Sequence, residues 1–373
     1  MLDLEPTEEH LAVAELARGL GLELLSPAAR EAEAEQAVPE GVWRTLFETG
    51  LTVPVPEEFG GGGIPDTVTQ MIAVEGLAYG DAGITLAAIW SGSAALLLAR
   101  HGTEEQTALL RELAGNPDSR AAVALYEGHG RAPAEFTTSI SRTADGSWRV
   151  QGRKVAVAFA DRADPLIVVG VEPETGKLRA VFVPPSDPGV VIAADGRGLA
   201  LDAAPTATVS FDVTVPADNL VGVAEDDAVA LANTVGRIRL AVAAAQVGTA
   251  QRAVEYAAQY ATERIAFGRP IAGFQGVSFP LAEAQIRIEA ARLEIAEAAT
   301  LLDGGEYGDR TETVTRVVNY AGEVAAEATR TAVQTLGGHG FIVEHPVELW
   351  YRTAAALSAL DFDPLCSSFE PAL

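Results

Sequence analysis

Few residues in this 373-residue chain are of types that do chemistry, and their spacing narrows what they can do. Five histidines, His10, His101, His129, His339 and His345, are scattered without ligand spacing, so no metal site is expected. Cys366 is the single cysteine, which leaves neither a disulfide framework nor a thiolate metal cluster. The glycine run Gly60-Gly61-Gly62-Gly63, after Pro54-Val55-Pro56-Glu57-Glu58-Phe59, has the composition of a phosphate cradle but lacks the Lys-Ser/Thr that completes a P-loop. It reads as a structural turn. Asp361, in Asp361-Phe362-Asp363-Pro364, is either a solvated acid of a terminal turn or a reactive carboxylate. The formal net charge of −26 excludes a nucleic-acid partner, because no Lys/Arg footprint exists to neutralise phosphates, and it disfavours an anionic membrane surface.

Three regions of different periodicity must position these residues. Residues 1–118 read as helical, with an N-cap at Pro6-Thr7-Glu8-Glu9 and a capping box at Thr103-Glu104-Glu105-Gln106. Residues 119–226 change to short β-branched runs (Trp148–Val150, Pro165–Val171, Ala180–Val183, Gly189–Ile192, Ala207–Val213) punctuated by Gly, Asp and Pro. No helical pattern separates these runs, so a middle antiparallel β-barrel or sandwich is expected and a Rossmann sheet is not. Residues 227–373 return to helix: Leu281, Ala284, Ile288, Ala291, Ile295, Ala298 and Leu302 recur at spacings of three and four, as do Val314, Val317, Ala321, Val324 and Ala328. These are helices of an antiparallel bundle. Ala241–Val247 is apolar on every side, which puts that helix at the bundle centre or at a subunit contact.

The acidic start is unlike a signal peptide, and the longest apolar stretch, Leu86–Ala99, is broken by Ser91, Gly92 and Ser93, short of the roughly 18 residues of a membrane span. A cytoplasmic protein with no membrane partner is expected.

Six stretches, in order along the chain, resemble the acyl-CoA dehydrogenase family: Thr7-Glu8-Glu9-His10; Pro54–Gly61; Gly102–Gln106; Phe211–Gly222; Arg264-Ile265-Ala266-Phe267-Gly268-Arg269-Pro270-Ile271 with Phe274-Gln275; and Gln334-Thr335-Leu336-Gly337-Gly338-His339-Gly340-Phe341. The resemblance implies an α+β multidomain fold with an N-terminal helical domain, a middle β-domain and a C-terminal four-helix bundle. It implies α,β-dehydrogenation of an acyl thioester, on CoA or an acyl carrier protein, with FAD as hydride acceptor. It also implies that Arg264, Phe267, Gly268, Gln275, Gln334, Gly337 and Gly338 reach the pyrophosphate and adenosine of a neighbouring subunit's FAD, in a homotetramer. Guanidinium and close-approach glycines suit phosphate oxygens.

Elsewhere the chain departs from the family. The segment that bonds the flavin ring, usually Thr-Glu-Pro-x-Ala-Gly-Ser-Asp-like, is Leu125-Tyr126-Glu127-Gly128-His129-Gly130-Arg131, where Tyr126 is left to supply a phenol donor. The usual Trp-Ile-Thr or Trp-Ile-Ser is Ala156-Val157-Ala158. The family's glutamate base, counted from Tyr351-Arg352-Thr353-Ala354, falls on Asp361, and its other location is Ile238, beside Arg239, a candidate substrate contact. Three readings follow: a working dehydrogenase with Asp361 as base; a degenerate supporting subunit of an α2β2 heterotetramer that donates FAD contacts to a paralogous dehydrogenase; and a flavin monooxygenase or nitroalkane-oxidase-like relative.

Overall fold

The computed structural model describes residues 4–64, 66–128, 135–222, 228–304 and 308–361, with Asp361 described by its backbone alone. Among the described residues six α-helices precede the sheet: α1 (Glu8–Leu20), α2 (Ser26–Glu35), α3 (Glu40–Glu48), α4 (Thr67–Ala78), α5 (Ala82–His101) and α6 (Thr107–Gly115). The first forms where the sequence placed it. The Thr7 hydroxyl accepts from the His10 N–H and the His10 ring accepts in return from the Thr7 N–H, while Glu8 and Glu9 complement the helix dipole.

The glycine run has a packing reason. A Cβ on Gly61 would lie 2.2 Å from the Val55 carbonyl oxygen and one on Gly62 2.2 Å from that of Gly50. The Gly62 and Gly63 N–H groups donate to the carbonyls of Val53 and Val55. These donors are spent within the chain, and the segment is a turn.

The Thr103–Gln106 box does not open a helix, since α6 begins at Thr107. The Gln106 amide oxygen accepts from the N–H groups of Thr103 and Gly222, and its NH2 donates to the Leu220 carbonyl, 2.7 Å away. What reads locally as a cap is a cross-link to the end of the sheet.

Seven strands follow: β1 (Ala122–Ala124), β2 (Ser139–Arg142), β3 (Trp148–Ala158), β4 (Leu166–Glu172), β5 (Lys177–Val183), β6 (Val190–Ala194) and β7 (Thr206–Val215). Their order is β1-β4-β2-β3-β7-β6, with β5 also on β4. Pairing is antiparallel except where β4 runs parallel to β1 and, at Ser139 opposite Val171, to β2. The sheet is therefore mixed at that edge. Successive β4 residues point to opposite faces: Leu166 and Val168 join Trp148, Val150 and Phe211, while Ile167 and Val169 join Leu97, Leu125 and Val235 from the helical side. Both faces are covered, which explains the unbroken apolar run.

The bundle consists of α7 (Ala228–Glu263), α8 (Gln275–Asp303), α9 (Thr311–Leu336) and α10 (Val347–Asp361). Every position of the two spacing patterns on α8 and α9 is buried. The stretch Ala241–Val247 of α7 is apolar apart from Gln246, and all of it, Gln246 included, is buried. It runs through the middle of the bundle. Helix α4 crosses against it backbone to backbone, since a Cβ on Gly248 would fall 2.3 Å from the Glu75 carbonyl oxygen. On its other side α4 meets the helical turn after α1, where a Cβ on Gly21 would be 2.6 Å from the Gly76 carbonyl oxygen and one on Gly80, just past α4, 1.9 Å from the Gly21 carbonyl oxygen. Two helices, α5 and α7, do reach membrane-spanning length and hydropathy, contrary to the reading of the apolar stretches, but 89% and 78% of those windows are buried inside the protein.

Candidate functional site

The first group of candidate residues converges where all three regions touch. A cavity of about 20 Å³ is lined by Trp90 and Ser93 of α5, Val123 of β1, Leu125, Tyr126, Ala156 and Ala158 at the end of β3, and Ile238 of α7. The positions singled out for the flavin ring and the alternative base position are thus neighbours, though Ile238 lies 80 residues beyond Ala158 and 112 beyond Tyr126. Tyr126 is buried, at 5% exposure. Leu360, adjacent to Asp361, packs against the apolar cluster that contains Leu125, Tyr126 and Ile238. The end of α10 therefore reaches this junction. The side chain of Asp361, His129 to Arg131 and Cys366 lie outside the described residues.

Local chemistry holds the cavity wall in place. Val155 N–H donates to the Tyr126 carbonyl at 2.8 Å. Lys154, with no exposure, donates to the Leu125 carbonyl and to Glu127, both at 2.9 Å, and stands 3.9 Å from the Phe136 ring centre. Glu127 in turn accepts from the N–H groups of Thr137 and Thr138. Burial alone would raise the Glu127 carboxyl, but the Lys154 charge and these donors outweigh it and hold it at about 2. Burial pushes the Lys154 amine down to about 8 against the pull of Glu127. Between this pair and Val157 the β3 strand bulges, and Ala156 takes φ +50°, a conformation rare for a residue with a side chain. Strain of that kind gathers at functional positions.

A second group lies at the far end of α7. A two-stranded hairpin, β8 (Ile265–Ala266) and β9 (Arg269–Pro270), turns through Phe267 and Gly268 at φ +53° and +82°. Two positive φ values match the twist of a tight hairpin, but an aromatic residue in the first position is strained. The Phe267 ring is 94% exposed. Arg264, Gln275 and Gln334 are exposed as well, and no side-chain bond of Arg264 occurs among the described residues. Helix α9 ends at Gly337, φ +59°, and a Cβ on Gly268, Gly337 or Gly338 would meet nothing within 4 Å.

Two residues that the sequence did not single out for this site join the turn to α7. The Tyr260 hydroxyl bonds His339 Nδ1 at 3.0 Å and the Tyr256 hydroxyl bonds His345 Nδ1 at 2.7 Å, with the two imidazoles 5.6 Å apart. The hairpin and the glycine turn thereby share one face. Next to the turn stand the exposed side chains of Phe341, Ile342 and Val343.

Of the other cations near the motifs, Arg239 is 1% exposed and donates to Thr315 on α9, inside the bundle. Arg352 is held by Glu33 and Glu348. Among the described residues no cluster of His, Cys, Asp or Glu could hold a metal.

The donor set of the second group suits a dinucleotide: a free guanidinium for phosphate, open glycine backbone beside it and a bare aromatic ring for a base. The 20 Å³ cavity does not by itself hold a flavin ring.

Three family models match: acyl-CoA dehydrogenase N-terminal domain over residues 7–115, middle domain over 126–214 and C-terminal domain over 228–361. A Bacillus subtilis (strain 168) acyl-CoA dehydrogenase is 30% identical over 356 residues, 93% of each chain. The solved structure of butyryl-CoA dehydrogenase from Megasphaera elsdenii superposes with a TM-score of 0.81 at 27% identity, covering 96% of this chain and 95% of that one. A glutaryl-CoA dehydrogenase from Mycobacterium smegmatis, solved in complex with FADH2, shares the fold, with a TM-score of 0.80 at 22% identity over 95% and 90% of the two chains.

Proposed function

The chain belongs to the acyl-CoA dehydrogenase family of FAD-dependent oxidoreductases, and on that premise we propose that it dehydrogenates an acyl thioester across its α and β carbons within an oligomer whose subunits share FAD. The observation that carries the shared-cofactor part is the bare, strained Phe267 beside the free Arg264 and the open Gly337-Gly338 turn. These residues would hold the pyrophosphate and adenosine of a neighbouring subunit's FAD. Gln275 and Gln334 would bond the adenosine side. When bound, FAD supplies the two-electron acceptor for the hydride leaving the β-carbon.

The rest falls to the residues at the three-way junction. Asp361 takes the α-proton. Tyr126 presents a phenol at the cleft, and the apolar walls of Val123, Leu125, Ala158 and Ile238 exclude water, which strengthens every polar contact made there. Arg239 would serve the substrate from inside the bundle by fixing α7 against α9. The reading places the protein in the cytoplasm as a homotetramer acting on a CoA or carrier-protein thioester. The 20 Å³ size of the Tyr126 cavity favours one second reading, a supporting subunit of an α2β2 assembly that lends its hairpin to a paralogous dehydrogenase.

Flavin content separates the two. The protein purified alone is expected to be yellow, with about one FAD per chain by absorbance, and to bleach anaerobically with an acyl-CoA. Colourless protein that gains FAD only on co-expression with a paralogous dehydrogenase would establish the supporting role instead. In either case Arg264→Ala should lower FAD affinity of the assembly by roughly 10- to 150-fold, the loss of a charge-assisted hydrogen bond of about 1.5–3 kcal/mol. Undiminished FAD occupancy on dilution would remove Arg264 from the cofactor site.

A further inference from the structure

One polar atom at the junction has no counterpart. The indole Nε1 of Trp90 is buried and makes no hydrogen bond among the described residues. A buried donor without an acceptor costs about 1–3 kcal/mol, so it persists where something else meets it. Trp90 lines the Tyr126 cavity, and the hydroxyl that lines it from the same helix, Ser93, donates to the Ile89 carbonyl at 2.9 Å. Besides Ser93 and the Tyr126 phenol, neither of which bonds the indole, the walls are apolar, and none of the described lining residues carries a formal charge. The indole ring packs against the apolar cluster of Ala87, Ala158, Phe159 and Ala204, between α5 and the end of β3.

From this geometry we infer that Trp90 is the specificity-determining residue of the cleft, admitting a short acyl chain that carries a neutral hydrogen-bond acceptor, such as a hydroxyl or keto oxygen. This rests on the reading of the junction as the acyl site. Ring bulk sets the length, because a chain extending past Tyr126 meets the indole. The N–H sets the chemistry, because neither Ser93 nor Tyr126 bonds it and an acyl oxygen arriving beside it can. A carboxylate is disfavoured by the lack of a cation to accompany it into an apolar site.

The test uses the assembled, FAD-containing protein and titration calorimetry with butanoyl-CoA, 4-hydroxybutanoyl-CoA and octanoyl-CoA. Wild type is expected to bind 4-hydroxybutanoyl-CoA about tenfold or more tighter than butanoyl-CoA, the value of one buried hydrogen bond, and octanoyl-CoA weakest. Trp90→Phe keeps the ring and loses the donor, so the length order stays and the oxygen preference disappears. Trp90→Ala loses both, and octanoyl-CoA becomes the best of the three. An unchanged length order in Trp90→Ala, or an oxygen preference kept in Trp90→Phe, overturns the inference while leaving the dehydrogenase reading intact. If none of the proteins binds any thioester, although each is folded by circular dichroism, the reading of the junction as an acyl site fails and the inference with it.

Discussion

Asp361→Asn is expected to slow exchange of the α-protons of a bound acyl-CoA with solvent deuterium, followed by NMR, by about 10²–10⁴-fold, the usual contribution of a positioned general base. The argument combines chemistry with placement. Abstraction beside a thioester carbonyl needs an ionised carboxylate near the α-carbon, and Asp361 closes α10 directly after Leu360, which packs into the Tyr126 and Ile238 cluster. The second position that could hold a base is occupied by Ile238, which has no proton acceptor. Aspartate is one methylene shorter than the family's glutamate, and a misplacement of about 1 Å can cost about a hundredfold. Asp361→Glu should therefore exchange faster than wild type. Unaltered exchange in Asp361→Asn would leave the acid as part of a solvated terminal turn.

Lys154→Met should lower the free energy of unfolding by about 3–5 kcal/mol in a denaturant titration near neutral pH, because it strands the Glu127 carboxylate in a buried site. The pair is fully enclosed, so solvent cannot take over the role of the lost cation. Glu127→Gln in the same chain should recover part of the loss. The wild type also has a defined acid response. Glu127 is held at about 2 in the folded protein against an ordinary 4.5, so its contribution is complete above pH 4.5 and is lost as pH falls from 4.5 toward 2. In Lys154→Met the carboxyl rises, and the fall in stability across that window should become shallower. An equal slope in both proteins would mean that the charge pair does not stabilise this loop.

Much of the scaffold is legible in the residues themselves. The three-and-four spacing on α8 and α9 gives their buried faces directly, because a helix repeats its side chains with the same period whatever it packs against. The strands of the middle region are equally visible. Strand pairing is not: the parallel match of β1 with β4 depends on which edges meet in space, and no local pattern encodes that. For the same reason the Thr103–Gln106 segment reads as a cap, although its glutamine is committed to Leu220 and Gly222 more than a hundred residues on.

The candidate site divides along similar lines. Arg264, Phe267, Gly268, Gly337 and Gly338 are readable from motifs because hairpins and helix ends carry local signals. Trp90 lies inside the apolar stretch Leu86–Ala99, where a tryptophan looks like one more core residue. Its unanswered N–H becomes visible only when α5 is laid against β3. The Tyr260 and His339 contact joins residues 79 apart. Histidines that look scattered along the chain meet because α7 and the turn after α9 end at the same level.

The close crossings of α4 carry a mechanical consequence. With Gly80 against Gly21 at the end of α4 and Gly248 against Glu75 within it, main chain meets main chain at two points between the side-chain contacts of α4. Sub-ångström displacement there brings main chain onto main chain, so the amino-terminal helices and the bundle form one stiff frame. Between these helices and β4 lies an apolar layer of side chains, Leu97, Leu125 and Val235 against Ile167 and Val169. A thioester bound beside Trp90 would then be positioned by helices pinned at those two crossings.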